Sequence, residues 1–114
     1  MSEYIPSCGD IVWIDFDPSS GKEIQKRRPG LVVSLELFNK VTGFALFVPI
    51  TSTVRGRGLE VELTGLETSG VALCEQVKSL HFKSRNIEFI EKAPLHILNE
   101  VTDRIESFIG HVVE

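Results

Sequence analysis

The sequence is poor in the residues that build metal centres and disulfide scaffolds. Cysteine occurs twice in 114 residues. Cys8 and Cys74 stand alone, with no CxxC spacing and no histidine nearby. Neither a zinc site nor a disulfide framework is signalled, and both are read as reduced thiols. The three histidines, His81, His96 and His111, are scattered and read as surface or packing residues rather than bases or ligands. No apolar run approaches the roughly 18 residues a membrane span needs. The opening MSEYIPSCGD has neither a basic n-region nor an apolar h-region, so no secretory signal is expected and the expected location is the cytoplasm. GxxxxGK[ST], GxGxxG and HExxH are all missing, which removes the common phosphate-loop, dinucleotide and zinc-protease signatures. Positive charge is also short, with 12 Lys and Arg against 16 Asp and Glu, for a net charge of −4. That balance argues against a general nucleic-acid binder, yet leaves room for a local site.

The positive charge that exists is concentrated. Residues 22–28 and the VRGRG at 54–58 hold six of the twelve bases. If the two segments meet in the fold, they make a positive cleft on a negative body. The length suits one domain over 1–114, and 42% hydrophobic residues suffice for a core.

Periodicity predicts the elements. GDIVWIDFDP (9–18) alternates Val12, Ile14 and Phe16 with Trp13, Asp15 and Asp17, a half-buried strand that Pro18 ends. SSGKEIQKR (19–27) is a polar loop. PGLVVSL (29–35) and FALFVPI (44–50) are apolar strands joined by FNKVTG, with room for one helical turn. LEVEL (59–63) alternates, GVALCEQVKSLHF (70–82) reads as one long or bent strand, and NIEFIEKA (86–93) as a last one. After Pro94, the residues Leu98, Val101, Ile105, Phe108, Ile109 and Val112 recur at helical spacing. Antiparallel strands followed by one amphipathic helix predict a small barrel-like α+β domain. The apolar stretch GVALC and nearby strands offer a symmetric patch for self-association.

Chemistry is sought on the loops. Arg28 precedes Pro29, which biases it to extended geometry at a loop-to-strand boundary. A guanidinium held there offers a planar fork of donors suited to phosphate. Lys22, Lys26 and Arg27 beside it are read as mobile attraction. Thr51, where the strand ending in PIT opens into a loop, supplies a hydroxyl donor at a second strand edge. Glu23 inside the basic cluster is either a general base or a local ion-pair partner. Asp15 and Asp17 share a strand face, and with Glu60 and Glu62 they raise a metal-nuclease reading. Acids on solvent faces of half-buried strands are ordinary, and no clustered carboxylate motif has the spacing, so no metal and no other cofactor is expected.

These residues resemble the MazF/PemK toxins, the endoribonuclease halves of bacterial toxin–antitoxin pairs. The likeness runs from about Tyr4 to Gly110 and rests on YIPSCGDIVWIDFDPSSGKEIQKRRPGLVVS, NKVTG, VPITST and GVALCEQVKS. It implies a small SH3-like antiparallel β-barrel with a C-terminal helix packed on it, working as a homodimer. It implies sequence-specific, metal-independent cleavage of single-stranded RNA, mRNA included, leaving 2′,3′-cyclic phosphate and 5′-hydroxyl ends. It places the catalytic arginine on Arg28, the catalytic hydroxyl on Thr51 and an important loop acid on Glu23. It puts RNA contacts near Phe16, in the loop after Thr51 (Ser52 and Arg55), and on the segment holding Gln76 and Lys78. It implies a cognate MazE-like antitoxin whose acidic tail covers the same basic surface. Phe16 suits stacking on an unpaired base, while its phase with Val12 and Ile14 points it inward. Two other readings stand beside this one: a CcdB-type toxin that binds DNA gyrase without cutting, and a passive RNA-binding barrel. Fold alone does not separate them.

Overall fold

The computed structural model describes residues 3–16, 26–53, 56 and 58–110. Among them, the elements run β1 (Asp10–Asp15), β2 (Arg27–Val32), α1 (Glu36–Thr42), β3 (Phe44–Thr51), β4 (Glu60–Glu62), β5 (Val71–Leu73), β6 (Lys78–His81), β7 (Glu88–Lys92) and α2 (Leu95–Phe108). All strand pairings are antiparallel, in the order β4-β5-β3-β2-β1-β7, with β6 beside β3. No helix among the described residues is long and apolar enough to cross a membrane.

The α+β class is as expected, but the barrel is not closed. β4 and β7 remain as edges, with no ladder between them. A carboxylate spans the seam instead. Glu91 on β7 accepts hydrogen bonds from the Glu67 amide (3.2 Å), the Thr68 amide (2.7 Å) and the Thr68 hydroxyl (2.6 Å) in the β4–β5 loop. Burial pushes the Glu91 carboxyl up, but these bonds outweigh it and hold it below the usual carboxylate range.

Both faces of the central strands are covered. Ile11, Leu31, Val48 and Ile50 join Val61, Cys74, Ile97 and Val101 in one core, under α2. Val12, Ile14, Phe16, Val32 and Phe47 join Val71, Leu73 and Phe82 in a second core on the other face. This explains why β2 and β3 read as continuous apolar runs while β1 alternates. β1 shows Trp13 outward, whereas Val12 and Ile14 stay in the second core.

The connection between β2 and β3 forms two helical turns rather than one. Gly43 ends them at φ 77°, donating its N–H to the Asn39 carbonyl. Asn39 itself is fully buried. Its amide donates to the carbonyls of Pro6 (2.8 Å) and Ser34 (3.3 Å), and its side-chain oxygen accepts from the Ser34 hydroxyl (2.6 Å). The Ser34 oxygen in turn accepts the Leu46 amide at 2.9 Å. Asn39→Ala strands these partners in a dry site and should cost about 2–4 kcal/mol. Urea unfolding checks this: the midpoint should fall with the slope unchanged.

The segment over 70–82, expected to contain one long or bent strand, forms two strands with a turn between them. β5 pairs with Ile50 and Thr51, β6 with Phe44 to Phe47. From Ile50 to Phe47, β3 advances three residues while its partner advances six, from Ala72 to Lys78. The surplus coils into a 3-10 turn over Cys74–Gln76, and a second such turn over Phe82–Ser84 follows β6. Pro49, which has no N–H, lies in the gap. Val71, Ala72, Leu73 and Cys74 are all buried, so GVALC is core and not a self-association patch. Exposed apolar surface lies instead on and around α1, at Leu35, Leu37, Phe38, Val41 and Phe44. Cys8 and Cys74 are both free thiols. His81 packs edge-on against Phe44, a packing role as expected.

α2 begins after Pro94, whose carbonyl accepts the amides of Ile97 and Leu98. Its buried stripe is Ile97 and Val101, flanked by Leu98 and Ile105. Phe108 and Ile109, expected on that stripe, are 43% and 61% exposed because the helix end runs past the core. Val112 lies outside the described residues.

Candidate active site

Strand register brings the two strand-edge residues together. β2 and β3 pair Val32 with Phe47, Leu31 with Val48 and Gly30 with Pro49. The ladder ends there, and the same register carried two residues further would bring Arg28, near the start of β2, opposite Thr51, at the end of β3. On its other side Arg28 pairs with Ile14 of β1, and Thr51 pairs with Val71 of β5. Strand alternation puts Arg28 and Thr51 on the face of Ile14, Val32, Phe47 and Val71, at the rim of the second core. Lys78 pairs with Phe47 and belongs to that face too. Gln76 is in the 3-10 turn that precedes it, and Ser52 follows Thr51 directly, exposed.

Thr51 is only 4% exposed. Its hydroxyl oxygen accepts the Thr53 amide at 3.2 Å, which leaves the hydroxyl proton for another acceptor. Its backbone is hemmed in by Gly70. A Cβ built on Gly70 would lie 2.3 Å from the Thr51 carbonyl oxygen and 3.3 Å from the Ser52 nitrogen, and Gly70 has φ +118°. Only glycine fits this approach. Lys26 turns the chain into β2 with φ 70°, a left-handed conformation that costs a lysine about 1–3 kcal/mol. Its carbonyl accepts the Phe16 amide at 3.0 Å, which ties the turn to the end of β1.

Two expected contacts are placed differently. Phe16 is 1% exposed and offers no face for a base to stack on. Its ring fills the space left by Gly30, where a Cβ would come within 3.2 Å of it. Phe16 is therefore the floor beneath the rim. Arg27, expected as mobile attraction, is held on the opposite sheet face. It donates to Asp15 (3.2 Å) and to the Asn86 carbonyl (2.7 Å), and pairs with Glu88 at 3.6 Å. Hydrogen bonds from Asn86 and then Arg27 hold the Asp15 carboxyl below its usual range. Both Asp15 oxygens are thus engaged, one by Arg27 and one by Asn86 at 2.7 Å. Among the described residues no three His, Cys, Asp or Glu side chains cluster as a metal site would require. Lys22, Glu23 and Arg55, with Asp17 of the metal reading, lie outside the described residues, as does most of the proposed meeting of the two basic segments.

A groove of about 570 Å³, not anticipated from the sequence, opens beside Thr51. Glu60, Glu62, Ser69, Gly70 and Val71 line it. A second groove of about 360 Å³ lies between Trp13, Pro29, Thr68, Ser69 and Ile90. Ser69 borders both, so the segment leading into Gly70 is the wall between them. The glycine before an apolar run at SGVAL is the one sequence signal that could have marked this wall.

Known proteins share this fold. The chain is 45% identical over 85 residues to the endoribonuclease toxin MazF of Escherichia coli (strain K12), covering 75% of this chain and 77% of that one. A crystal structure of MazF from Deinococcus radiodurans superposes with a TM-score of 0.88 at 40% identity, covering 92% of this chain and 96% of that one. A MazE-MazF crystal structure from the same organism superposes with a TM-score of 0.81, also at 40% identity, with the same coverage of both chains. The gyrase-binding reading finds no support in these relatives, whose curated member is named an endoribonuclease. With the family model matching residues 7–109, the chain belongs to the PemK-like, MazF-like toxins of type II toxin–antitoxin systems.

Proposed function

We propose that this protein is a metal-independent endoribonuclease toxin that cuts single-stranded RNA, mRNA included, at short sequences in the cytoplasm. The observation that supports it most is that Arg28 and Thr51 lie at the same end of the antiparallel β2–β3 pair. RNA carries its own nucleophile. The 2′-oxygen attacks the adjacent phosphorus and loses its proton. The bond to the 5′-oxygen breaks, and that oxygen takes up a proton. A 2′,3′-cyclic phosphate and a 5′-hydroxyl result. The protein has to position the phosphate and offset the charge that builds on its oxygens. Arg28 supplies a fixed cation for that charge, and the Thr51 hydroxyl donates to a phosphate oxygen. Glu23 accepts the 2′-hydroxyl proton. Lys22, Lys26, Ser52, Arg55, Gln76 and Lys78 guide the strand. The working unit is a homodimer, and a MazE-like antitoxin with an acidic tail covers the basic surface.

The test uses a long unstructured RNA in excess EDTA, with the new ends mapped. Cuts at a recurring short sequence with cyclic-phosphate ends are expected. A well-folded protein that leaves the RNA intact would sink the reading. Cleavage that returns only with Mg²⁺ would replace it with a metal-dependent one.

A further inference from the structure

On the side away from β2, Thr51 borders a second strand pair, β4–β5. β5 pairs with Thr51, and Gly70 abuts the Thr51 carbonyl. Gly70 also accepts the Leu63 amide at 3.0 Å, closing the β4–β5 hairpin. The sheet ladder joins this hairpin to β1 and β7 only by way of β3 and β2; among the described residues no direct pairing links them, since β4 is an edge strand. The connection runs through the loop. Thr68, two residues before Gly70, is buried and takes two hydrogen bonds to the Glu91 carboxylate, at 2.7 and 2.6 Å. The Glu67 amide adds a third at 3.2 Å.

We infer that Glu91 is a positioning residue of the active site, holding the 67–70 segment across the open seam so that Gly70 fixes the backbone that carries the Thr51 hydroxyl. The inference rests on the role given to Thr51 above. Glu91 touches no reacting atom. It acts through three links: carboxylate to Thr68, Thr68 to Gly70 along the chain, and Gly70 to the Thr51 carbonyl. The first link is a set of directional hydrogen bonds, the second is covalent and the third is a close backbone approach, so the loss of the first lets the wall shift against Thr51. Misplacement on that scale reduces turnover without removing the groups that bind the strand.

The sole tryptophan reports on the same place. Trp13 lines the groove beside Thr68, Ser69 and Ile90, so its emission senses the position of the loop. The test measures RNA cleavage by Glu91→Ala and by Glu91→Gln, which keeps the shape and one acceptor oxygen. Glu91→Ala should lower kcat by about tenfold to a hundredfold with KM changed by less than about twofold. Glu91→Gln should recover part of the loss, and Trp13 emission should shift in both variants. In a Thr51→Ala background the further loss from Glu91→Ala should vanish, because the group being positioned is gone. Unchanged kcat in both variants, or losses that simply multiply in the double variant, would overturn the inference. If Glu91→Ala does not fold, Glu91→Gln carries the same comparisons. If the wild type cuts no RNA, the reading of the site fails separately. The clasp is then judged by amide NMR shifts: movement at Thr51, Ser52 and Gly70 in Glu91→Gln upholds the coupling, and still resonances overturn it.

Discussion

Arg28→Ala should lower RNA cleavage by about 10³-fold while RNA binding weakens only modestly. Arg28 stands at the start of β2, paired in register with Ile14, where the strand fixes its backbone. Pro29 restricts it further. The charge it meets is largest when phosphorus carries five oxygens, so its contribution is differential and appears in turnover. Arg28→Lys should recover only part of the rate, because an ammonium offers a point charge in place of a planar fork. Arg27 ties this end of β2 to Asp15 and Glu88, and thermal melts check that the Arg28 variants stay folded. A loss confined to binding would favour the passive RNA-binding barrel. Turnover within about tenfold of wild type would remove Arg28 from the chemistry.

Gly70→Ala should damage both stability and activity. A methyl group there meets the Thr51 carbonyl oxygen at 2.3 Å and carbon at 2.8 Å, and these are backbone atoms that no rotamer change can clear. The residue also has φ +118°, which L side chains rarely adopt. The hairpin must withdraw from β3, or the Thr51–Ser52 peptide must turn. We expect a loss of about 3 kcal/mol in urea unfolding and about 10²-fold in cleavage, measured where the variant is still folded. Gly65→Ala is the control. Gly65 has φ 74° with nothing within 4 Å of its added carbon, so it carries backbone strain without the collision. Equal effects at the two positions would show that conformation alone matters and that the approach to Thr51 does not.

Much of this was legible in the residues, for reasons that also mark where legibility stops. β1 could be read because Val12, Ile14 and Phe16 alternate with residues that reach solvent or charge partners. Arg28 and Thr51 could be singled out because each stands where an apolar run meets a polar loop. Their register could not, since pairing depends on how three strands align. Arg27 shows the limit most clearly. Next to Arg28 in a basic run it looks equivalent, yet the two-residue period of a strand sends it to the opposite face, to Asp15 and Glu88. The break within 70–82 is hidden because no Gly or Pro interrupts Val71 to Leu80; only the offset between its two partners on β3 forces the turn. On α2, helical spacing located the element and missed how far the sheet extends beneath it, so Phe108 and Ile109 were placed inside and Ile97 was left out. The Glu91 clasp joins residues more than twenty positions apart and has no local signature.

The strand order also dictates a sequence of events. β1, β2 and β3 follow one another in the chain and form the central meander, so Arg28 and Thr51 can meet through comparatively local pairing. β1 and β7 are eighty positions apart at Ile11 and Glu91. Pairings of such separation carry the loop-closure entropy that slows folding. The strand bearing Glu91 is therefore expected to dock last, its clasp closing after both site residues are in place. Assembly of the reactive groups and completion of the wall beside them are separate steps, and a chain caught between them holds its arginine ready while its threonine is still unsteady.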